Sequence, residues 1–245
     1  MESSSETVRS ASDGVLVIMA KAPRPGSVKT RLVPSLSPEA VTSFYCCLLQ
    51  DTLALAWSLN DVDVAIMCPE SDVNQLAELA GREVKVVAQK GEGLAAGLTS
   101  VFAHFADHSQ RRVIAFNSDS PHLPLSVLEE AFETLVAHDV VVGPTHDGGY
   151  YLIGAKASYP TLFASDGMGT SSALERLLSR ARTLELSVGF AAPFYDIDIA
   201  DDLTRLAEDL HLAPERAPRT ARWLKERELE GERSRALSRT GAAGS

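Results

Sequence analysis

The 245-residue sequence has no apolar run of membrane-spanning length, few cysteines and fewer basic than acidic residues. Its three cysteines, Cys46, Cys47 and Cys68, lack the spacing of a disulfide framework or a zinc site, which favours the reducing cytoplasm. The 23 Lys and Arg residues against 33 Asp and Glu residues give a formal net charge of -10. We therefore expect no membrane partner and no nucleic-acid partner, because nucleic-acid-binding domains normally carry a basic surface.

The composition divides the chain into three parts. Residues 1–13 are Ser-rich and polar, without the apolar core of a signal peptide, and predict a disordered leader. Residues 14–212 carry the apolar periodicity of one globular domain. Residues 213–245 are rich in Arg and Glu and predict a charged C-terminal helix followed by a disordered tail.

Apolar strands alternate with helical patterns through the central part. Near-continuous apolar strands separated by helices are typical of a mainly parallel sheet covered on both faces. The sequence therefore predicts an α/β fold with three α/β/α layers. The predicted strands are Val15–Ala20, Val62–Cys68, Val84–Ala88, Val113–Phe116 and Val140–Gly143, and the predicted helices are Pro38–Leu59, Ser71–Ala80, Leu94–Ala106 and Leu125–Ala137.

Acidic residues are absent between Asp13 and Glu39, and this gap contains the run KAPRPGSVKTRL from Lys21 to Leu32. Its four cations follow the first predicted strand in a loop with proline and glycine, and a local positive field binds anions whatever the global charge. The run is not a Walker A loop, because Val28 stands where that motif needs glycine. Lys29 and Arg31 could supply a point charge and a forked donor to phosphate. The alternative is a merely solvated basic loop.

Two acidic segments complete the candidate chemistry. Asp119, in NSDSPHLP, follows a predicted strand and could bind Mg²⁺, or it could simply form a turn. Asp198, in Asp196-Ile197-Asp198, could be a second ligand or an ordinary helix N-cap. Ligands of open α/β sheets bind outside the carboxyl ends of the strands, so the cationic loop and Asp119 should face one cleft.

Two glycine-bearing segments are less specific. Asp147, in DGGYYLIG, could act in a site or only in a turn. The glycines Gly91, Gly93 and Gly97 are one residue off the dinucleotide fingerprint, which favours a plain helix entry.

Taken in order, the motifs KAPRPGSVKTRL, SDSPHLP, VVVGPTHDGGYYLIG and YDIDIADDL resemble a bacterial family of GT-A-fold, glycosyltransferase-like enzymes. The layout is also similar to the molybdenum-cofactor and 2-phospho-lactate guanylyltransferases. The resemblance implies a nucleotide-diphospho-sugar-transferase fold, with Asp119 and Asp198 as metal ligands and Lys29 as the phosphate-loop lysine. It also implies an acceptor side formed by Asp147, Gly148, Gly149 and Tyr150.

These observations predict a Mg²⁺-dependent (or Mn²⁺-dependent) nucleotidyltransferase that joins a nucleoside monophosphate to a small phosphorylated acceptor. Lys29, Arg31 and Asp119 are the expected catalytic residues. A glycosyltransferase using a nucleotide diphosphate sugar is the alternative, and a nucleotide-binding domain without turnover is a third hypothesis. The oligomeric state stays open, with a homodimer as one option. The expected nucleotide-binding residues are Ala20, Lys21, Pro25, Gly26, Lys29, Arg31, Asn117 and Ser118.

Overall fold

A computed structural model of the chain describes residues 12–106, 111–163 and 171–241, with side chains up to residue 229. Most of the predicted leader, residues 1–11, and the last four residues of the predicted tail lie outside the described residues. The division of the chain into a domain of residues 14–212 and a C-terminal region stays a prediction.

The described strands form one seven-stranded sheet. They are β1 (Gly14–Met19), β2 (Val62–Cys68), β3 (Lys85–Ala88), β4 (Arg112–Asn117), β5 (Val140–Pro144), β6 (Tyr150–Ala155) and β7 (Val188–Phe190). Their order across the sheet is β3-β2-β1-β4-β6-β5-β7. The first four run parallel to one another and β5 runs parallel to β7, whereas β6 is antiparallel to both β4 and β5.

Seven α-helices cover the two faces of the sheet in the described ranges: α1 (Pro38–Trp57), α2 (Val73–Ala80), α3 (Gly93–Phe105), α4 (Leu125–Ala137), α5 (Ala173–Thr183), α6 (Ala200–Leu212) and α7 (Pro218–Gly241). Successive side chains of β1 point to opposite faces. Leu16 and Ile18 join the core beneath α1, α4 and α6, while Val15 and Val17 join the core beneath α3 and α5. Each fully buried aliphatic side chain contributes about 1.5–3 kcal/mol to folding. Two cores on one sheet confirm the three-layer α/β/α prediction.

The predicted elements agree with the structure to within about two residues, but two features of the sheet were not predicted. Strand β7 is only three residues long, so its sequence carries little periodic signal. Strand β6 follows β5 through a tight turn, so it runs antiparallel to β5. It lies between β5 and β4 and is antiparallel to β4 as well. The sheet is therefore mainly rather than wholly parallel, as expected.

The charged C-terminal segment begins by packing against α1. The backbone N–H and the Oγ1 hydroxyl of Thr220 both donate to Asp51 Oδ2 at 2.8 Å, and Asp51 is buried. The Trp223 ring lies 4.9 Å from the Phe44 ring, centroid to centroid. A carboxylate at a helix N-terminus pairs with unsatisfied N–H groups and with the positive end of the helix dipole. These contacts hold the first turns of α7 on the domain.

None of the helices in the described ranges has both the length and the apolar character that a membrane span requires.

Candidate metal and nucleotide site

A pocket of about 930 Å³ opens at the carboxyl edge of the parallel strands. Met19 and Asn117 are paired in register at the ends of β1 and β4, so the loops that follow these strands leave the sheet side by side. This arrangement confirms the expected common cleft for the cationic loop and the Asp119 segment. Seven of the predicted site residues line the pocket: Ala20, Lys21, Lys29, Arg31, Ser118, Asp119 and Asp198.

Three predicted nucleotide-binding residues lie outside the pocket lining. Pro25 and Gly26 are exposed at the outer turn of the loop, where Gly26 has a φ of 76°. Asn117 Oδ1 accepts from the Asp119 N–H at 3.3 Å and so shapes the turn that carries Asp119. The geometry therefore gives Asn117 a local structural contact, and a contact of these three residues with a nucleotide stays a prediction.

The start of the cationic loop is anchored by buried side chains of two helical segments. The Ala22 N–H donates to Asp72 Oδ2 at 2.9 Å, and Arg24 Nη1 donates to Asp72 Oδ1 at 2.6 Å. The Lys21 N–H donates to the Tyr45 hydroxyl at 3.2 Å. Burial acts to raise the pKa of Asp72, but the hydrogen bonds it accepts outweigh burial and hold the pKa below its ordinary value. Arg24 therefore helps to anchor the loop to Asp72, and it is not among the residues that line the pocket.

The Asp119 turn is joined to the segment before α6 by two hydrogen bonds. The Ile197 N–H donates to the Asp119 carbonyl oxygen at 3.2 Å, and Ser120 Oγ donates to the Tyr195 carbonyl oxygen at 2.9 Å. Ser120 and Ile197 are both buried. These bonds bring together carboxylates that are far apart in the sequence.

The result is a cluster of three carboxylates. One oxygen each from Asp119, Asp196 and Asp198 lies within 4.8 Å of the others, and all three residues are partly buried. Burial, together with the like charges of Asp198 and Asp119, raises the pKa of Asp196 to about 6. Asp196 is the member that the sequence analysis did not assign as a ligand, although it stands two residues from Asp198.

Lys29 places its ammonium inside this cluster. Its Nζ lies 2.8 Å from Asp119 Oδ2 and 2.7 Å from Asp198 Oδ1, and its side chain is 6% exposed. Burial alone would lower the pKa of Lys29, but the charges of Asp119 and Asp198 outweigh it and hold the pKa above its ordinary value. The Lys29 ammonium is a positive group at hydrogen-bond distance from both carboxylates, so the oxygens of Asp119 and Asp198 are arranged to accept a positive charge. Hard carboxylate oxygens are also what Mg²⁺ and Mn²⁺ favour.

The N-cap alternative for Asp198 is wrong. Helix α6 begins at Ala200, and its N-terminus is capped by Asp202 Oδ2, which accepts from the N–H groups of Asp198 and Ile199 at 2.8 Å each. The Asp198 carboxylate pairs with Lys29 and, at 3.7 Å, with Arg31 Nη1. The Arg31 side chain is 74% exposed at the mouth of the cluster.

Part of the pocket was missed by the sequence analysis. Tyr45 lies under the loop, where its hydroxyl is 3.0 Å from Ser118 Oγ, and burial followed by the Asp119 charge raises the pKa of Tyr45 to about 12. Nothing distinguishes Tyr45 from its apolar neighbours along α1. The far end of the pocket is formed after β2 and β3 by Pro69, Glu70, Ser71, Gln89, Gly91, Glu92, Gly93 and Leu94. The glycines after β3, Gly91 and Gly93, were interpreted from the sequence as a plain helix entry, and their spacing was the feature that could have indicated this part of the pocket.

The predicted acceptor side is a tight turn between β5 and β6. Asp147 Oδ1 accepts from the Thr145 hydroxyl and from the Gly149 N–H, the latter at 3.1 Å. The Thr145 hydrogen bond, supported by Gly149 and by the charge of Arg31, outweighs burial and lowers the pKa of Asp147 below its ordinary value. The structure therefore shows the turn role for Asp147.

Gly148 and Tyr150, two other predicted acceptor residues, are constrained by packing within the protein. Gly148 has a φ of 88°, and a Cβ there would lie 1.9 Å from the Ser171 carbonyl oxygen. Tyr150 packs against the core beneath α3 and α5, and its hydroxyl is buried without a hydrogen-bond partner among the described residues. Burial raises the pKa of Tyr150. Contact of Gly148, Gly149 or Tyr150 with an acceptor stays a prediction.

Solved structures share this architecture. A crystal structure of a protein provisionally assigned as a nucleotide-diphospho-sugar transferase, from Desulfovibrio desulfuricans G20, superposes with a TM-score of 0.79 and 27% identity. The match covers 89% of this chain and 96% of that chain. It confirms the expected GT-A-like fold with its mainly parallel sheet.

More distant structures share the fold alone. The 4-diphosphocytidyl-2C-methyl-D-erythritol synthase from Anaerococcus prevotii DSM 20548 has a TM-score of 0.54 at 12% identity, covering 81% of this chain and 96% of that one. Rv0371c from Mycobacterium tuberculosis H37Rv, crystallised in complex with manganese, has a TM-score of 0.51 at 20% identity. That match covers 81% of this chain and 100% of the other.

Comparison with curated proteins gives no match to this sequence. The sequence model of a bacterial family, described as "Uncharacterized protein conserved in bacteria (DUF2064)", matches residues 52–170 of the chain.

Proposed function

We propose that the protein is a divalent-metal-dependent nucleotidyltransferase that uses a nucleoside triphosphate and a small acceptor carrying a phosphate or phosphonate. An acceptor oxygen attacks the α-phosphorus, the bond from the α-phosphorus to the oxygen bridging it to the β-phosphorus breaks, and pyrophosphate leaves. This chemistry depends on positioning and electrostatic stabilisation, so it needs no protein nucleophile.

The charge arrangement of the pocket carries the proposal. Lys21, Lys29 and Arg31, all from one loop, line the pocket together with four acidic side chains, of which Asp119 and Asp198 belong to the carboxylate cluster that could hold a cation and Glu70 and Glu92 lie at the far end. A triphosphate carries more negative charge than a diphosphate sugar, so a cationic loop of this strength favours the triphosphate.

The residues have separate roles in this mechanism. Lys29 and Arg31 stabilise the charge that develops on the leaving pyrophosphate. Asp119, Asp196 and Asp198 are the residues that would hold a divalent cation, since their oxygens cluster and two of them, Asp119 and Asp198, already pair with the Lys29 ammonium. A metal ion bound there supplies Lewis-acid stabilisation of phosphoryl oxygens.

A glycosyltransferase is the second candidate, and one observation favours it. The protein from Desulfovibrio desulfuricans, similar over 89% of this chain, is described as a nucleotide-diphospho-sugar transferase. In this reaction an acceptor hydroxyl attacks the sugar anomeric carbon and a nucleoside diphosphate leaves. The same cations and carboxylates would stabilise that leaving group, with His146 or Asp147 activating the hydroxyl.

The nature of the released product separates the candidates. A thermal-shift screen of nucleoside triphosphates and nucleotide sugars, with and without Mg²⁺, first identifies the donor. The donor is then incubated with a pool of phosphorylated small molecules and followed by ³¹P NMR. Pyrophosphate release supports the proposal, whereas nucleoside diphosphate release supports glycosyl transfer. Binding without either product over hours would indicate a nucleotide-binding domain without turnover.

A further inference from the structure

The Lys29 ammonium lies where a divalent ion would have to bind. It touches Asp119 Oδ2 and Asp198 Oδ1 at 2.8 and 2.7 Å. These two residues belong to the set of three carboxylates whose oxygens lie within 4.8 Å of one another. A metal ion that used Asp119 and Asp198 would displace the ammonium from both of them.

The backbone at Lys29 is also unusual. Lys29 has φ 46° and ψ 41°, the left-handed conformation, immediately before the short helical turn Thr30–Leu32. This conformation costs a non-glycine residue roughly 1–2 kcal/mol. Such strain persists only where surrounding contacts hold it. At Lys29, the surrounding contacts are the ion pairs of the ammonium with the two carboxylates and the hydrogen bond that the Lys29 carbonyl oxygen accepts from the Leu32 N–H at 2.9 Å.

The other cations of the loop do not share this position. The Lys21 side chain is exposed, and Arg24 is held by Asp72 away from the cluster. Arg31 approaches Asp198 only to 3.7 Å, from an exposed position. Among the described cations of this loop, Lys29 is therefore the one that lies within hydrogen-bond distance of the partly buried carboxylates. Without a cation, the three acidic groups would repel one another at a cost that partial burial increases.

We propose that Lys29 is the resident counter-ion of the carboxylate cluster in the nucleotide-free protein, and that its ammonium and a divalent metal are alternative occupants of these carboxylates. This inference rests on the proposed function for the role of the metal and goes beyond the phosphate contact assigned to Lys29 above. A metal ion that binds without nucleotide must displace the buried Lys29 ammonium from its two carboxylate partners. When a nucleotide is present, its phosphates offer the displaced ammonium a new partner. Metal and nucleotide binding are then mutually reinforcing, because such coupling is reciprocal.

Metal affinity without nucleotide tests the competition directly. Mn²⁺ is titrated into the full-length protein, and the free ion is followed by electron paramagnetic resonance. Lys29→Met keeps an unbranched side chain, one atom shorter, and removes its charge, so we expect Mn²⁺ to bind roughly tenfold more tightly, a change of about 1.4 kcal/mol. The matched control is Lys21→Met, which removes a cation from the same loop but leaves the cluster intact and should leave the Mn²⁺ affinity near that of the wild type. The double variant Lys29→Met with Asp119→Asn should lose the gain.

A second measurement uses the wild-type protein and does not depend on the folding of a variant. Lysines are acetylated briefly with acetic anhydride, and the modified fraction at Lys29 and Lys21 is read by mass spectrometry. Lys29 should be protected in the metal-free protein and should react several-fold faster when Mn²⁺ saturates the cluster, while Lys21 serves as the internal reference. Unchanged labelling of Lys29 on Mn²⁺ binding would overturn the proposal. In the titration, equal Mn²⁺ affinities of the wild type and Lys29→Met would also overturn it, and so would the absence of Mn²⁺ binding to both proteins.

Neither measurement requires turnover, so the two proposals can fail separately. A protein that releases no pyrophosphate from any triphosphate but shows tighter Mn²⁺ binding in Lys29→Met retains this inference and loses the proposed function. An active nucleotidyltransferase whose Lys29→Met variant binds Mn²⁺ no better than the wild type retains the proposed function and loses this inference.

Discussion

The loop of residues 21–32 and the turn of residues 145–150 are alike in sequence and different in structure. Both follow a strand, contain glycine and carry charged residues. In the first, Lys29 reaches carboxylates of two other segments, one of them 169 residues away. In the second, Asp147 bonds within its own turn, to Thr145 and Gly149. Charges that pair across segments assemble a site, whereas charges that pair locally stabilise the backbone that carries them.

The largest expected effect distinguishes the carboxylates of the two regions. Once the donor and the acceptor are identified, Asp119→Asn should lower kcat/KM of the reaction by roughly 10²–10³. This corresponds to about 3–4 kcal/mol of lost transition-state stabilisation, because one preorganised electrostatic group is removed. Asp147→Asn keeps the oxygen that accepts in the turn and should cost less than about tenfold. Equal losses in the two variants, or wild-type turnover in Asp119→Asn with unchanged Mg²⁺ dependence, would remove the contrast.

The acid stability of the protein tests the packing beneath the carboxylate cluster. His122, three residues after Asp119, is 1% exposed against Phe194 and Tyr195, and neither ring nitrogen has a hydrogen-bond partner among the described residues. Burial lowers the pKa of His122 from 6.5 to about 4, and the charge of Asp209 opposes this shift while those of Arg205 and Arg216 add to it.

The His122 imidazole therefore takes up a proton at a higher pH in the unfolded chain than in the folded chain. The His122 contribution makes the free energy of unfolding fall as the pH drops from 6.5 towards 4, by about 3 kcal/mol in total. His122→Phe should remove this part of the pH dependence, as measured by urea unfolding at several pH values. Parallel pH profiles for the wild type and His122→Phe would show that the histidine does not titrate differently in the two states.

Glycine-to-alanine changes compare the backbones of the two regions. Gly26 and Gly148 have similar φ values, 76° and 88°, but a Cβ at Gly26 meets no atom within 4 Å and one at Gly148 would lie 1.9 Å from the Ser171 carbonyl oxygen. Gly26→Ala should cost roughly 1 kcal/mol of unfolding free energy through strain alone. Gly148→Ala should cost roughly 2–3 kcal/mol, because its turn must also move. Denaturant unfolding of both variants checks the ranking, and similar costs would contradict the close approach at Ser171.

A further expected effect concerns the anchor of the cationic loop. Asp72→Ala removes the acceptor of the Ala22 N–H and of Arg24, so the free energy of unfolding should fall by roughly 2 kcal/mol. The control, Glu78→Ala, changes an exposed carboxylate on helix α2, which follows Asp72, and should stay within about 0.5 kcal/mol of the wild type. If Asp72→Ala unfolds like the control, the loop is held by other contacts.

Much of the fold could be predicted because its signals are local. The strands are near-continuous apolar runs, and helix α1 has a clear boundary at Ser37, whose hydroxyl accepts from the Ala40 N–H, with Pro38 as its first residue. The position of β6 between β4 and β5 could not be predicted in this way, because strand order depends on pairing between distant segments. The edge strand β7 is too short to show a period.

The candidate site was predictable only in part, for a similar reason. Lys29, Asp119 and Asp198 stand out in the sequence because charged residues follow buried strands. Asp196 looked like an ordinary neighbour, and Tyr45 like one more residue of a buried helix face. The place of Asp196 depends on the hydrogen bonds between Ser120 and Tyr195 and between Asp119 and Ile197. The place of Tyr45 depends on its contacts with Lys21 and Ser118, and no local pattern encodes either set.

The sequence by itself determined the α/β layering, the common edge from which the loops leave, and the residue types available for phosphate and metal. These follow from side-chain periodicity and from the rule that parallel strands end together. The tertiary structure alone decided that Arg24 anchors its loop, that Asp147 closes its turn and that Lys29 enters the carboxylate cluster. The physical reason is that the effect of a charge depends on its partner and its burial, and both are set by segments that meet only when the chain is folded.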